Sequence, residues 1–180
     1  MNRRQFLAAL PLLAAWPVAA QSEEAGAPVP AVHLMKPSDK RSLAGLQVID
    51  ESGKALKLQD HSGQILIINL WAPWCVPCRR EMPSLSRLQT QLDGLSAALL
   101  PVAFVARRTD GVRRFFEETG ISNLPVLAGD GENLLAVTGK SHLPLTLIAD
   151  KEGRWTGMVE GEASWDDAET LRWITGLAAA

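Results

Sequence analysis

The sequence predicts an α/β fold in which helices flank a mixed central sheet. Residues 64–71 and 99–106 are apolar runs with the length expected of strands that are buried on both faces. A segment with helical spacing follows each run, and a hairpin pattern and a further helix end the chain. Alternating strands and helices that finish in a hairpin are typical of a sheet with both parallel and antiparallel strands.

The other elements follow from turn residues and from helical periodicity. Two short apolar stretches on either side of the turn at 50–53 predict a hairpin. Two helices are predicted to have Asp110 and Ser164 as their N-terminal caps. The predicted helices cover residues 75–92, 110–119, 131–138 and 164–177, and the remaining strands cover 125–128, 145–149 and 155–159.

The first 20 residues have the features of an export signal. Arg3 and Arg4 precede a nearly continuous apolar stretch at 6–15, and small residues at 18–20 form a candidate cleavage site. The apolar stretch is shorter than the roughly 20 residues that cross a bilayer. The paired arginines also resemble a twin-arginine signal. We therefore expect an exported, periplasmic protein, and a retained N-terminal membrane anchor is the alternative.

Composition divides the rest of the chain into two parts. Residues 21–42 are rich in Ala, Pro and Glu and predict a flexible tether, which leaves 43–180 as one domain. The whole chain has 18 basic and 20 acidic side chains, a net charge of −2. This balance gives no electrostatic footprint for a nucleic-acid partner.

The two cysteines of the chain, Cys75 and Cys78, form a CxxC motif at the predicted start of a helix. Unpaired backbone N–H groups at a helix N-terminus favour the thiolate form of a cysteine. Two sulfurs at this spacing can also close and reopen a small disulfide ring by thiol–disulfide exchange. The motif therefore predicts redox chemistry.

Two other interpretations of the pair remain open. A structural zinc site needs four N or S ligands, which here would have to come from scattered histidines. A purely structural disulfide that closes so short a loop would constrain the unfolded chain very little.

The sequence around the cysteines resembles the thioredoxin superfamily and, within it, the exported TlpA/ResA-like thiol–disulfide oxidoreductases. The resemblance covers roughly residues 43–177, and its most specific part is Asn-Leu-Trp-Ala-Pro-Trp-Cys-Val-Pro-Cys at 69–78. A second mark is His-Leu-Pro-Leu at 142–145, where Pro144 falls at the position of the family's cis-proline. A trans proline that starts a strand is the alternative. The resemblance implies a thioredoxin-like fold.

The resemblance also implies roles for the site residues. Cys75 would be the exposed attacking sulfur and Cys78 the buried resolving sulfur. Glu81 shares a helix face with Cys78 and is similar to the carboxylate that accepts a proton near the resolving cysteine in some ResA-like proteins. A solvated glutamate beside two arginines is the alternative. Asn69 stands where cytoplasmic thioredoxins usually carry a buried aspartate.

Substrates are expected to meet a surface around the cysteine pair and the Pro144 loop. The expected surface residues are Trp71, Trp74, Val76, Pro77 and Leu143. For the two tryptophans, a place in the core is an equally good interpretation.

We expect an exported thiol–disulfide oxidoreductase that reduces particular periplasmic protein disulfides through Cys75 and Cys78, without a cofactor or a bound metal. Protein disulfide clients and a membrane thiol electron donor are the expected partners. Two alternatives keep the same fold. One is a metal-delivery or client-binding module without redox turnover, and the other is a disulfide oxidase.

Overall fold

The structure is a computed structural model that describes residues 33–34 and 41–179. The predicted export signal lies outside the described residues, as does most of the predicted tether. The described strands are β1 (His33–Leu34), β2 (Arg41–Ser42), β3 (Val48–Ile49), β4 (Ala55–Leu56), β5 (Ile65–Trp71), β6 (Ala97–Phe104), β7 (Leu127–Gly129), β8 (Leu145–Ala149) and β9 (Arg154–Glu160). The α-helices are α1 (Val76–Gln91), α2 (Asp110–Thr119), α3 (Gly131–Thr138) and α4 (Ala168–Ala179), and a 3₁₀ turn covers Leu58–His61.

The nine described strands form one sheet in the order β1-β9-β8-β5-β6-β7-β3-β4, with β2 also paired to β9. The central strand β5 runs parallel to β6 and antiparallel to β8. Every residue of β5 is buried, as expected of a strand covered on both faces. The predicted α/β fold with a mixed central sheet flanked by helices is therefore confirmed.

The sheet separates two apolar clusters, and alternate residues of β5 enter each of them. Ile65, Ile67 and Trp71 join the cluster that contains the buried residues of α1, α2 and α4. The intervening residues join the cluster that contains Leu134 of α3. Asn69 belongs to the same alternating set as Ile67 and Trp71, so its side chain lies on the α1 side of the sheet.

The sheet begins earlier in the chain than the sequence predicts. Arg41–Ser42 pairs antiparallel with residues 154–155 of β9, and His33–Leu34 pairs with residues 157–158. Both dipeptides fall within the predicted tether, 21–42, and they satisfy backbone groups at the outer edge of β9. The boundary at residue 42 stays a prediction.

Two predicted helix caps are wrong. Thr109 occupies the N-cap position of α2, which has no side-chain cap. The final helix begins at Ala168. The carboxylate of Asp167 accepts hydrogen bonds from the otherwise unpaired backbone N–H groups of Glu169 and Thr170 in its first turn, at 2.9 and 3.0 Å. Within the described part of the chain, no helix is both long and apolar enough to cross a membrane.

Candidate active site

The cysteine pair lies at the junction of β5 and α1. Cys75 is the N-cap residue of α1, and its sulfur accepts a hydrogen bond from the backbone N–H of Cys78 at 3.3 Å. Pro77 follows in the first turn of the helix, where its missing N–H costs nothing. A backbone hydrogen bond from Cys75 N to Ala72 O, 3.0 Å long, closes the turn that leads from the strand.

The two sulfurs are joined in a disulfide, and they differ in exposure. Cys78 is completely buried, whereas Cys75 is partly exposed. A second molecule can therefore approach the sulfur of Cys75 but not that of Cys78. This asymmetry is what an attacking and a resolving cysteine require.

The Pro144 loop lies at the end of the sheet that carries the cysteine pair. Its Leu143–Pro144 bond is cis, as expected from the sequence. The next residue, Leu145, pairs with Leu70 near the end of β5, so the loop is carried to the end of the sheet where α1 begins. Pro144 is buried and its carbonyl accepts a hydrogen bond from Gly161 N at 3.0 Å, while Leu143 stays partly exposed.

The two tryptophans of the motif have different environments. Trp74 is 68% exposed and Val76 is 61% exposed, as the expected substrate surface requires. Trp71 is completely buried, with its ring 5.2 Å from that of Phe115 and 5.6 Å from that of Phe116. The expectation that Trp71 belongs to a substrate surface is therefore wrong, because its alternation along β5 directs it into the core.

A groove of about 820 Å³ lies beside Trp74. Phe104 and Val105 line it, together with the first residues of α2 and α3. The loop that borders it contains Ala106 and Arg107, which both have positive φ angles, 49° and 59°. Sequence reasoning missed this groove, since residues other than glycine rarely adopt that conformation and nothing in their identity indicates it.

Glu81 is buried in the helix behind the cysteines, with a 2% exposed side chain. Oε1 accepts a hydrogen bond from Asn69 Nδ2 at 2.8 Å, and Oε2 accepts from Ala163 N at 3.3 Å and from Trp165 Nε1 at 3.2 Å. Burial raises the pKa of Glu81 to about 7, against the lowering effect of the three donors. The carboxyl group can therefore exchange a proton near neutral pH.

The alternative of a solvated Glu81 beside Arg79 and Arg80 is excluded by this geometry. Arg80 donates to Glu162 at 3.0 Å, and the guanidinium of Arg79 lies 5.4 Å from the ring centre of Phe115. Both arginines are exposed, so α1 turns them away from the face that carries Glu81.

Asn69 links Glu81 to the strand that follows the Pro144 loop. Its Nδ2 also donates to Thr146 Oγ1 at 3.0 Å, and the two residues are direct partners across β5 and β8. A buried carboxylate therefore lies next to position 69 of β5, but it belongs to Glu81 of α1. The contacts of Glu81 with Ala163 and Trp165 span more than 80 residues, and the sequence held no signal for them.

A family model described as "AhpC/TSA family" matches residues 26–159. The chain belongs to this family. Among curated proteins, it is similar to the thiol–disulfide oxidoreductase ResA of Bacillus thuringiensis (strain Al Hakam), with 29% identity over 68% of this chain and 69% of the relative. It is also similar to the thioredoxin-like protein YneN of Bacillus subtilis (strain 168), with 32% identity over 57% of this chain and 59% of that protein.

Solved structures show the same fold. A secreted thiol–disulfide isomerase from Corynebacterium glutamicum superposes with a TM-score of 0.66 at 20% identity, covering 84% of this chain and 93% of the other. A thioredoxin-family thiol:disulfide interchange protein from Chlorobium tepidum gives 0.60 at 21% identity, covering 88% and 100%. The expected thioredoxin-like fold, the resemblance to TlpA/ResA-like proteins and the class of enzyme, a thiol–disulfide oxidoreductase, are confirmed.

Proposed function

We propose that the protein is an exported reductase of particular periplasmic protein disulfides, with Cys75 as the attacking and Cys78 as the resolving cysteine. The observation that carries this proposal is the disulfide at the start of α1, in which Cys78 is buried and Cys75 is accessible. The position of Cys75 at the helix N-terminus favours its thiolate.

The exchange takes place in two steps. The Cys75 thiolate attacks one sulfur of a client disulfide, which forms a mixed disulfide and releases the other client sulfur as a thiolate. Cys78 then loses its proton and attacks Cys75 Sγ, which closes the Cys75–Cys78 disulfide and releases the second client thiolate. The two client thiolates take up protons, and the client gains the two electrons that the dithiol has lost. A membrane thiol donor returns two electrons to the pair.

Glu81 accepts the proton of Cys78 in the second step. It lies one helical turn beyond Cys78, and its raised pKa, about 7, allows it to take up a proton and release it again near neutral pH. Burial of the carboxyl group supports this role, because a solvated carboxylate would be ionised throughout the neutral range.

Client chains contact the exposed surface next to Cys75. Trp74 and Val76 supply its apolar part, Pro77 shapes the turn between the cysteines, and the partly exposed Leu143, held by the buried Pro144, forms the opposite side. The groove beside Trp74 extends this surface. An extended client segment can therefore bury apolar side chains on both sides of the sulfur that is attacked.

Export and the direction of electron flow rest on the N-terminal sequence and on the resemblance. The arginine pair and short apolar stretch at the N-terminus support export to the periplasm, where retention of the signal would leave a membrane tether. In that oxidising compartment, a reductase needs a dedicated thiol donor at the membrane.

The test is to measure turnover of a protein disulfide together with the equilibrium reduction potential against glutathione, using the parent and a Cys75→Ser/Cys78→Ser control. A reductase turns over with a reduced donor and has a potential near that of thioredoxin, about −270 mV. A potential near −120 mV would identify an oxidase instead. Stoichiometric metal retention without turnover would identify a metal-delivery module.

A further inference from the structure

The contacts of Glu81 satisfy its ionised form. Each of its oxygens accepts from a donor that cannot act as an acceptor: the Asn69 amide nitrogen, the backbone nitrogen of Ala163 and the indole nitrogen of Trp165. A protonated Glu81 would carry an O–H group, and none of these three atoms can receive it. A proton taken up at the remaining lone pair of Oε1 would therefore need an acceptor other than these three atoms.

Asn69 has the acceptor that the protonated form needs. Its Oδ1 is buried and has no hydrogen-bond partner among the described residues. If the amide turns by half a revolution, Oδ1 faces both Glu81 and Thr146, and the Thr146 hydroxyl can reverse from acceptor to donor. The turn places the Nδ2 hydrogens where Oδ1 has no partner, so Asn69 can accept from a protonated Glu81 but stabilises the ionised form more.

We propose that Asn69 and Trp165 are positioning residues that hold the Glu81 carboxylate ionised, and that Asn69 turns its amide when Glu81 takes up the proton of Cys78. This network then sets the pH range over which the dithiol reacts. The inference rests on the proton-accepting role proposed above for Glu81.

The groups that face Glu81 allow the pH dependence to be assigned to its carboxyl group. From the loop between β9 and α4, Glu162 is the charged group that acts on Glu81, and Arg80 pairs with it. The groups that face Glu81 from β5 and β8, Asn69 and Thr146, are neutral. On α1 itself, Cys78 is the other titratable group on this face once the disulfide is reduced.

The experiment compares Asn69→Leu and Trp165→Phe with the matched control Thr146→Val. Each of the first two removes one donor to Glu81, whereas the control removes the other hydrogen bond of Asn69 and leaves Glu81 its three donors. We expect the pH midpoint of disulfide exchange to rise by about one unit in both test variants, since a hydrogen bond to a charged group has that magnitude. The control should move it by less than about 0.3 units.

A direct readout uses the oxidised protein, in which the cysteines do not titrate. The ¹³C resonance of the Glu81 carboxyl carbon should titrate at higher pH in Asn69→Leu and Trp165→Phe than in the parent. In the background of Glu81→Gln, neither substitution should shift the exchange profile further. Trp165→Phe keeps an aromatic ring in the core, so it remains informative if Asn69→Leu does not fold.

The outcomes separate the two proposals. If Glu81→Gln has the same pH–rate profile as the parent, the proton role of Glu81 fails, and this inference fails with it. If Glu81→Gln changes the profile but Asn69→Leu and Trp165→Phe shift it no more than Thr146→Val does, the network has no part in setting the pH range. An unchanged carboxyl titration in both test variants would also overturn the inference.

Discussion

The side-chain amide of Asn69, on the central strand, donates a 2.8 Å hydrogen bond to the buried carboxyl group of Glu81 on the helix that begins at the cysteines. This contact connects the sheet to the redox helix through polar atoms inside an otherwise apolar cluster. A buried polar group is costly unless it is paired, so this contact makes the ionisation of Glu81 part of the folding energetics.

Glu81 should make stability depend on pH. Its folded pKa of about 7 lies above the ordinary value of 4.5, so the folded state binds more protons than the unfolded state between these values. Its contribution to stability is therefore full below pH 4.5 and is lost as pH rises through 7. Over this range Glu81 lowers the free energy of unfolding by on the order of 3 kcal/mol.

Denaturant unfolding of oxidised parent and Glu81→Gln at pH 4, 6 and 8 measures this effect. The variant should gain stability relative to the parent as pH rises, with most of the change between pH 4.5 and about 7. Arg79→Gln, an exposed substitution on the same helix, serves as the control. A constant difference between parent and Glu81→Gln at all three pH values would mean that Glu81 has an ordinary pKa.

Trp74 should matter for clients and not for folding. Its side chain is 68% exposed, so Trp74→Ala should change the free energy of unfolding by less than about 1 kcal/mol. Loss of an exposed aromatic contact should slow exchange with protein disulfides by about tenfold while exchange with a small disulfide stays nearly constant.

The matched control for Trp74 is Leu135→Ala, which removes a 46% exposed apolar side chain on α3 that does not line the groove. Rates of exchange with a protein client and with oxidised glutathione are compared for both variants. Equal slowing by Trp74→Ala and Leu135→Ala would remove Trp74 from the client surface.

Trp71 should behave in the opposite way. It is fully buried against Phe115 and Phe116, so Trp71→Ala should lower the free energy of unfolding by about 3–5 kcal/mol. Thermal and denaturant unfolding beside Trp74→Ala test this contrast between two tryptophans of one motif. Similar stability of the two variants would contradict the core position of Trp71.

The sequence predicted the elements that depend on local pattern. The apolar runs gave the central strands, and the CxxC motif after a strand gave the start of α1, because both signals lie within a few residues of each other. The Pro144 loop was also found, through resemblance to a family. Each of these features can be recognised without knowing which distant residues meet.

The features that the sequence missed depend on tertiary packing. Trp71 follows the alternation of β5 into the core, while Trp74 lies in the turn between β5 and α1, and their shared residue type hid this difference. The partners of Glu81 come from Ala163 and Trp165, whose contact with α1 depends on the path of the whole chain. The groove beside Trp74 depends on backbone angles that ordinary residues seldom adopt.

The central claim is that Cys75 attacks clients and Cys78 resolves the mixed disulfide. Its most direct test is to mix reduced Cys75→Ser and Cys78→Ser separately with an oxidised protein client and to measure the covalent complex by mass spectrometry. Because Cys75 is exposed and Cys78 is fully buried, Cys78→Ser should accumulate a stable complex linked through Cys75, and Cys75→Ser should form almost none. A complex that forms mainly with Cys75→Ser, or with neither variant, would contradict the assigned roles.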